Sequence, residues 1–197
     1  MGSRTKNALL VAGTVIALVG VIAAYILIDP HLFRPQPPGV GIEPGQLAPQ
    51  FVIVDVNATS WDLSAHRGQV VLLDFMGVQC TTCVLEMSEG TMQGVHGRHA
   101  AEGFTILSID IGGSLGTNNT LAAWRFIQGL NADGSRRWTA GDWPIALDNP
   151  GPGIQRTYRA TALPLAYLVD RSGTIVWKHL GYVTQSDLEA QVVAALA

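Results

Sequence analysis

Apolar residues recur along most of the chain with periods that predict alternating strands and helices. Residues 70–76 form a continuous apolar run broken by one acid, which is typical of a strand buried on both faces. The predicted strands are 51–55, 60–63, 70–76, 104–111, 143–147, 165–170 and 174–180. Apolar spacings of three and four predict helices from 81 through 95, then over 120–130, 154–158 and 186–196. This order predicts an α/β fold with a mixed central sheet and helices on both faces.

A longer apolar segment precedes this pattern. Residues 8–28 contain no charged side chain, and a helix of that length spans about 32 Å, close to the thickness of a bilayer core. Arg4 and Lys6 come before it, which predicts a cytoplasmic segment 1–7, a single transmembrane anchor and an extracytoplasmic remainder. A cleaved signal peptide is the alternative, but the run is longer than the usual apolar region of one.

Two further features concern the segments around this predicted anchor. Small residues share one face of the predicted helix and could bring two copies together as a weak dimer, although such residues are also common in membrane helices. They are Gly13, Ala17, Gly20 and Ala24. Residues 29–42 are rich in proline, which predicts a stiff linker between the anchor and a domain at 43–197. The alternative is an irregular arm packed on that domain.

Composition narrows the class of protein. The 197 residues are 48% hydrophobic and 14% charged, which excludes a disordered chain. The formal net charge of -3 argues against a nucleic-acid-binding protein, which would present a basic face. Only two cysteines are present, too few for a disulfide scaffold. They lie three residues apart, so the pair is one candidate site.

Cys80 and Cys83 follow the buried strand and open the next predicted helix. Free backbone N–H groups at a helix N-terminus stabilise an anion, so the pKa of the Cys80 thiol is expected to be lowered. The spacing puts Cys83 one turn later on the same face, within reach of a disulfide. We therefore expect Cys80 to be the exposed nucleophile and Cys83 the buried resolving thiol. Thr81 and Thr82, between them, are expected to contact the thiolate and the substrate.

Non-redox interpretations of the cysteine pair are weaker. A zinc site needs a second ligand pair, but no other cysteine exists, and His96 and His99 lie in the same predicted helix, so no metal is assigned. A structural disulfide closing so small a loop would restrict the unfolded chain little. A Cu(I)-binding chaperone is the main alternative, because Cys80, Cys83 and Met87 supply soft ligands.

Asp74 and Pro164 are the remaining candidates. Asp74 lies inside the apolar strand, where burial would raise the pKa of its carboxyl and let it exchange a proton with the cysteines. The alternative is a carboxylate that caps a neighbouring element or faces solvent at a sheet edge. Pro164 directly precedes the strand at 165–170 and could be only a strand-entry proline with an ordinary trans bond.

Together these residues make the stretch from about Glu43 to Leu196 resemble the thioredoxin fold, specifically the membrane-anchored TlpA/ResA/CcmG-like thiol–disulfide oxidoreductases. The opening motif resembles that family's at Pro44-Gly45 and Ala48-Pro49. The CxxC motif lacks the family's usual preceding tryptophan, which is replaced by Gln79. Peroxiredoxins share the opening motif but need a P-x-x-x-T-x-x-C pattern, which this chain lacks.

The resemblance implies specific roles. Leu163-Pro164 would be the family's cis-proline site, packed beside the disulfide, with Leu163 pairing with the substrate backbone. Asp74 falls where thioredoxins carry a buried acid. No cofactor is expected beyond the redox-active disulfide. The expected partners are protein thiols and disulfides, such as apocytochrome c or a copper-site protein, and a transmembrane carrier that supplies electrons.

Overall fold

The computed structural model describes residues 39–197. The predicted cytoplasmic segment 1–7, the anchor at 8–28 with its dimerisation face, and most of the linker at 29–42 lie outside these residues. Within residues 39–197, none of the helices is both long enough and apolar enough to cross a membrane.

The strands are β1 (Val52–Val54), β2 (Ser60–Asp62), β3 (Val70–Met76), β4 (Phe104–Asp110), β5 (Ile145–Leu147), β6 (Leu165–Val169) and β7 (Ile175–Leu180). Five of them form the central sheet in the order β5-β4-β3-β6-β7, and β1 and β2 form a separate antiparallel pair. Strand β3 runs parallel to β4 and antiparallel to β6, so the predicted mixed sheet is confirmed.

Strand β3 lies at the centre of the sheet and is buried along its whole length. Its side chains alternate between two cores, with Leu72 on one face and Leu73 on the other. This double burial explains why the strand appears in the sequence as a continuous apolar run.

Helices lie on both faces of the sheet, as predicted, but unevenly. One core receives side chains from four helices, and the other is covered by the β1–β2 pair and the short helix at Ile154–Thr157. The helices are α1 (Thr81–Glu89), α2 (Thr91–His99), α3 (Thr120–Ile127), α4 (Ile154–Thr157) and α5 (Gln185–Leu196).

The single helix expected from 81 through 95 is in fact two helices, and that prediction is wrong. Gly90 ends α1 in the left-handed conformation, with φ of 75°, and α2 begins at Thr91. The apolar spacing continues across the break because both helices pack on the same core. Periodicity therefore did not reveal the turn, whereas glycine is the residue that adopts this conformation at little cost.

Candidate active site

The cysteine pair lies where β3 passes into α1. Cys80 is the N-cap residue of α1, and its sulfur accepts a hydrogen bond from the Cys83 N–H at 3.2 Å. The two cysteines are joined in a disulfide with a Cα–Cα distance of 5.3 Å, within the usual range for such bonds. The sulfur of Cys80 is thus placed at the positive end of the helix, where a thiolate is stabilised.

The expected difference in exposure between the two cysteines is absent from this oxidised form. Cys80 is 4% exposed and Cys83 is 3% exposed. The expectation of an exposed Cys80 is therefore wrong for the disulfide, because both cysteines belong to the apolar core on the α1 side of the sheet.

The loop between β3 and α1 is held by the segment that follows β4. The Gln79 N–H donates to the Leu115 carbonyl oxygen at 2.8 Å, and Gly77 packs so closely on the Leu115 backbone that a side chain would clash there. Asp110 anchors that segment, since its Oδ1 accepts from the N–H groups of Gly112 and Thr117. Two loops distant in sequence thus fix the approach to Cys80.

Asp74 is buried in β3, as its apolar surroundings in the sequence indicate. Its Oδ2 accepts a hydrogen bond from the Ser108 hydroxyl at 2.8 Å. Burial raises the pKa of Asp74 to about 6, and the bond from Ser108 opposes that rise. The carboxyl therefore changes its protonation state close to neutral pH.

A second buried carboxyl, Glu86, was missed by the sequence analysis. It lies on α1, is 2% exposed, and accepts a hydrogen bond from the Val183 N–H at 2.8 Å. Burial, followed by repulsion from Asp74, raises the pKa of Glu86 to about 8. The available signal was its position three residues after Cys83, one turn along the same helix face.

Asp74, Glu86 and Cys83 line one small cavity. Its volume is about 10 Å³, room for roughly one water molecule, and apolar side chains complete its wall. Two carboxyls that hold or release protons near neutral pH thus share a cavity with the second cysteine. This arrangement can accept the proton of the Cys83 thiol when that thiol becomes a nucleophile.

Within residues 39–197, no side-chain hydrogen bond joins the other predicted site residues to the disulfide. Thr81 is exposed and Thr82 half-buried on the first turn of α1. Pro164 is buried and its bond to Leu163 is cis, while Leu163 is half-buried against the core that contains both cysteines. Their contacts with a substrate stay predictions.

Among residues 39–197 there is no group of three or more histidine, cysteine, aspartate or glutamate side chains placed to hold a metal ion. Met87, the third ligand in the copper alternative, is buried and lines the same cavity as Cys83.

Comparison with known proteins agrees with this architecture. The AhpC/TSA family model matches residues 44–178. The thiol–disulfide oxidoreductase ResA of Geobacillus kaustophilus is 26% identical over 184 residues, covering 93% of this chain and 94% of ResA. ResA of Bacillus cereus is 24% identical over the same shares of the two chains.

A solved structure shows the same fold. The thiol:disulfide interchange protein of the thioredoxin family from Chlorobium tepidum superposes with a TM-score of 0.61 at 20% identity, covering 83% of this chain and 99% of that one. At this identity the likeness establishes the thioredoxin fold alone. Taken with the family match and the cysteine pair at the helix start, it leads to one conclusion: the chain belongs to the AhpC/TSA family and is a thioredoxin-like thiol–disulfide oxidoreductase.

Proposed function

We propose that the protein is anchored in the cytoplasmic membrane and reduces disulfides of other proteins on the extracytoplasmic side. The uncharged segment 8–28, preceded by Arg4 and Lys6, supports the anchor and its orientation. Similarity to proteins named ResA supports exchange with protein thiols. Apocytochrome c or a copper-site protein is the proposed class of substrate, and a transmembrane thiol carrier the proposed source of electrons.

The observation that carries the direction of transfer is the cavity shared by Cys83, Asp74 and Glu86. The reduction potential of a dithiol depends on how well the protein stabilises its thiolate, and strong oxidants stabilise theirs. Two buried carboxyls beside Cys83 have the opposite effect once they ionise, because negative charge disfavours a nearby thiolate. The disulfide form is then relatively favoured, which is the property of a reductant.

The proposed reaction transfers two electrons in two exchange steps. The Cys80 thiolate attacks one sulfur of the substrate disulfide, forming a mixed disulfide and releasing one substrate thiolate. Cys83 then loses its proton to the carboxyl pair of Asp74 and Glu86 and attacks the Cys80 sulfur. The second substrate sulfur leaves as a thiolate and takes up a proton. The substrate ends as a dithiol and the protein as the Cys80–Cys83 disulfide.

Redox equilibrium of the full-length chain in a mild detergent tests the direction. The protein is equilibrated in glutathione or dithiothreitol buffers and its free thiols are trapped. A two-electron couple at or below about -270 mV supports a reductant, whereas a value near about -120 mV would show an oxidant and refute the proposed direction.

Two variants make this test specific to the carboxyl pair. Asp74→Asn and Glu86→Gln remove the ionisable groups and are expected to move the potential at pH 8 to less negative values. Glu89→Gln is the matched control, because Glu89 lies exposed on the same helix and its repulsion is the smallest cause of the raised pKa of Glu86, so a much smaller change is expected. Equal reduction potentials in all the variants would show that the carboxyl pair does not lower the potential of the cysteine pair. Tight stoichiometric Cu(I) binding without measurable thiol exchange would instead favour the copper chaperone.

A further inference from the structure

Asp74 is the end of a line of buried hydrogen bonds that the exchange steps above do not use. The Trp143 indole Nε1–H donates to the Ser108 hydroxyl at 3.0 Å, and that hydroxyl donates to Asp74 Oδ2 at 2.8 Å. All three side chains are buried, at 8%, 2% and 5% exposure for Trp143, Ser108 and Asp74. The backbone supports the line, because Ser108 lies opposite Asp74 in the register of β3 and β4.

The direction of these bonds is determined by the indole. A tryptophan Nε1–H only donates, so the oxygen of Ser108 must accept from it. The hydroxyl proton of Ser108 is then free to donate to Asp74 Oδ2. If Oδ2 carried a proton and donated it to Ser108, the Ser108 hydroxyl would need another acceptor in a buried site, which costs free energy.

We infer that Ser108 and Trp143 are positioning residues that keep Asp74 Oδ2 as an acceptor, so that the exchangeable proton of Asp74 is held on Oδ1. Since Oδ2 is occupied by Ser108, Oδ1 is the oxygen left for the cavity that Asp74 shares with Cys83 and Glu86. The inference depends on the proposed function, in which Asp74 accepts the proton of Cys83.

Trp143 also prevents proton transfer to Asp74 from the surface on the side away from the cysteines. It lines an open surface cleft with Asp55 and Asp142, and Ser108 is not part of that lining. An indole cannot accept a proton and pass it on, so the cleft offers Asp74 no proton route through Trp143. With transfer through Trp143 excluded, the cavity shared with Cys83 is the route that the described residues offer to the proton of Asp74.

The groups that face the hydrogen bonds from Trp143 through Ser108 to Asp74 come from α1, α2 and β6. Helix α1 brings Glu86 and Cys83 to the cavity. Helix α2 brings His96 against the Trp143 ring, at 5.4 Å between ring centroids, and burial lowers the pKa of His96. Strand β6 places Ala166, which does not titrate, opposite Asp74. Glu86 is therefore the group whose charge must be followed alongside that of Asp74.

Direct titration of Asp74 in the oxidised full-length chain tests the inference. The aspartate carboxyl carbons are labelled with carbon-13, the Asp74 signal is assigned with Asp74→Asn, and its pKa is measured by NMR. Ser108→Ala removes a hydrogen bond to a charged group and is expected to raise the pKa of Asp74 by about one to two units. Ser108→Thr keeps the hydroxyl and is expected to restore most of the original value.

Trp143→Phe isolates the contribution of the indole. Without the indole donor the Ser108 hydroxyl is less polarised and its orientation is no longer fixed, so it donates more weakly to the ionised carboxyl, and the pKa of Asp74 is expected to rise by up to about one unit. Trp138→Phe is the matched control, since Trp138 is equally buried and donates its Nε1–H at 3.1 Å to the Phe126 carbonyl oxygen instead.

The outcomes separate this inference from the proposed function. An unchanged pKa of Asp74 in Ser108→Ala, or equal shifts in the two tryptophan variants, overturns the positioning role. The pH profile of the Cys83 step is measured in parallel as the rate of release from a mixed disulfide. It should move with the pKa of Asp74 in Ser108→Ala and Trp143→Phe. If Asp74→Asn leaves that rate unchanged, the proposed proton transfer fails, whereas the carboxyl titration still decides what Ser108 and Trp143 do.

Discussion

Replacing Glu86 by glutamine should change how the stability of the oxidised protein depends on pH. Glutamine keeps a carbonyl oxygen that can accept the Val183 N–H but removes the ionisable group. Glu86 has a pKa of about 8 in the folded protein, raised from the ordinary value of 4.5 by burial and by repulsion from Asp74. The folded state therefore holds this proton over a pH range in which the unfolded chain has lost it.

The sign and size of the effect follow from this difference. Below pH 4.5 the carboxyl is protonated in both states and has no effect on the pH dependence. Between pH 4.5 and pH 8 only the folded state holds the proton, so the wild-type free energy of unfolding falls as pH rises, by up to about 1.4 kcal/mol per pH unit. From pH 5 to pH 8 the wild-type protein should lose roughly 3–4 kcal/mol relative to Glu86→Gln.

Urea unfolding followed by tryptophan fluorescence at pH 5, 7 and 8 measures this difference. The disulfide is kept oxidised, so that cysteine ionisation does not contribute. Glu89→Gln controls for the loss of a charge on the exposed side of the same helix. Repulsion from Glu89 is the smallest cause of the raised pKa of Glu86, so this variant should change the pH dependence far less than Glu86→Gln. If Glu86→Gln loses stability with rising pH as steeply as the wild type, Glu86 does not hold its proton near neutral pH and the reasoning is refuted.

Three other substitutions test separate parts of the structure. Asp74→Asn should slow release from the mixed disulfide by about 10²-fold at neutral pH, measured by quenched-flow thiol trapping, and an unchanged rate would make Asp74 structural. Gly90→Ala should lower the free energy of unfolding by about 1–2 kcal/mol because Gly90 is left-handed, whereas Gly97→Ala, inside α2, should not lower it. Tyr158→Phe removes a hydrogen bond of 2.7 Å to the Pro49 carbonyl oxygen and should cost about 1 kcal/mol in the same urea assay, so an unchanged midpoint would contradict that bond.

Much of the fold could be predicted because its signals are local. The continuous apolar run of β3 coincides with the observed strand at Val70–Met76, and the following helix begins at Thr81, directly after Cys80. Element ends were less accurate. The helix predicted over 120–130 ends at Ile127 instead. Gln128 begins a turn there, in which Gly129 is left-handed with φ of 64°.

The carboxyl pair could not be predicted in full, because the local signal for Glu86 was only its position one turn after Cys83, which does not by itself indicate a buried carboxyl. A glutamate on a helix is ordinarily a solvated residue, and this one is buried because α1 packs against both β3 and the residues before α5. The Val183 N–H that it binds lies 97 residues away in the chain. Ser108 had a weak signal, since it is a small polar residue in an apolar strand, but only the register with β3 places it opposite Asp74.

The sequence by itself determined the reactive pair and its place at the start of a helix, because a buried strand, a CxxC motif and helical periodicity are all patterns of neighbouring residues. It also favoured a buried Asp74 over a carboxylate that caps a neighbouring element or faces solvent at a sheet edge, since the strand around it is apolar on both faces. The tertiary structure alone decided which groups meet Asp74 and Cys83. Those contacts join β3 to β4, β4 to the segment before β5, and α1 to the segment before α5, and packing between elements distant in sequence leaves no trace in local periodicity.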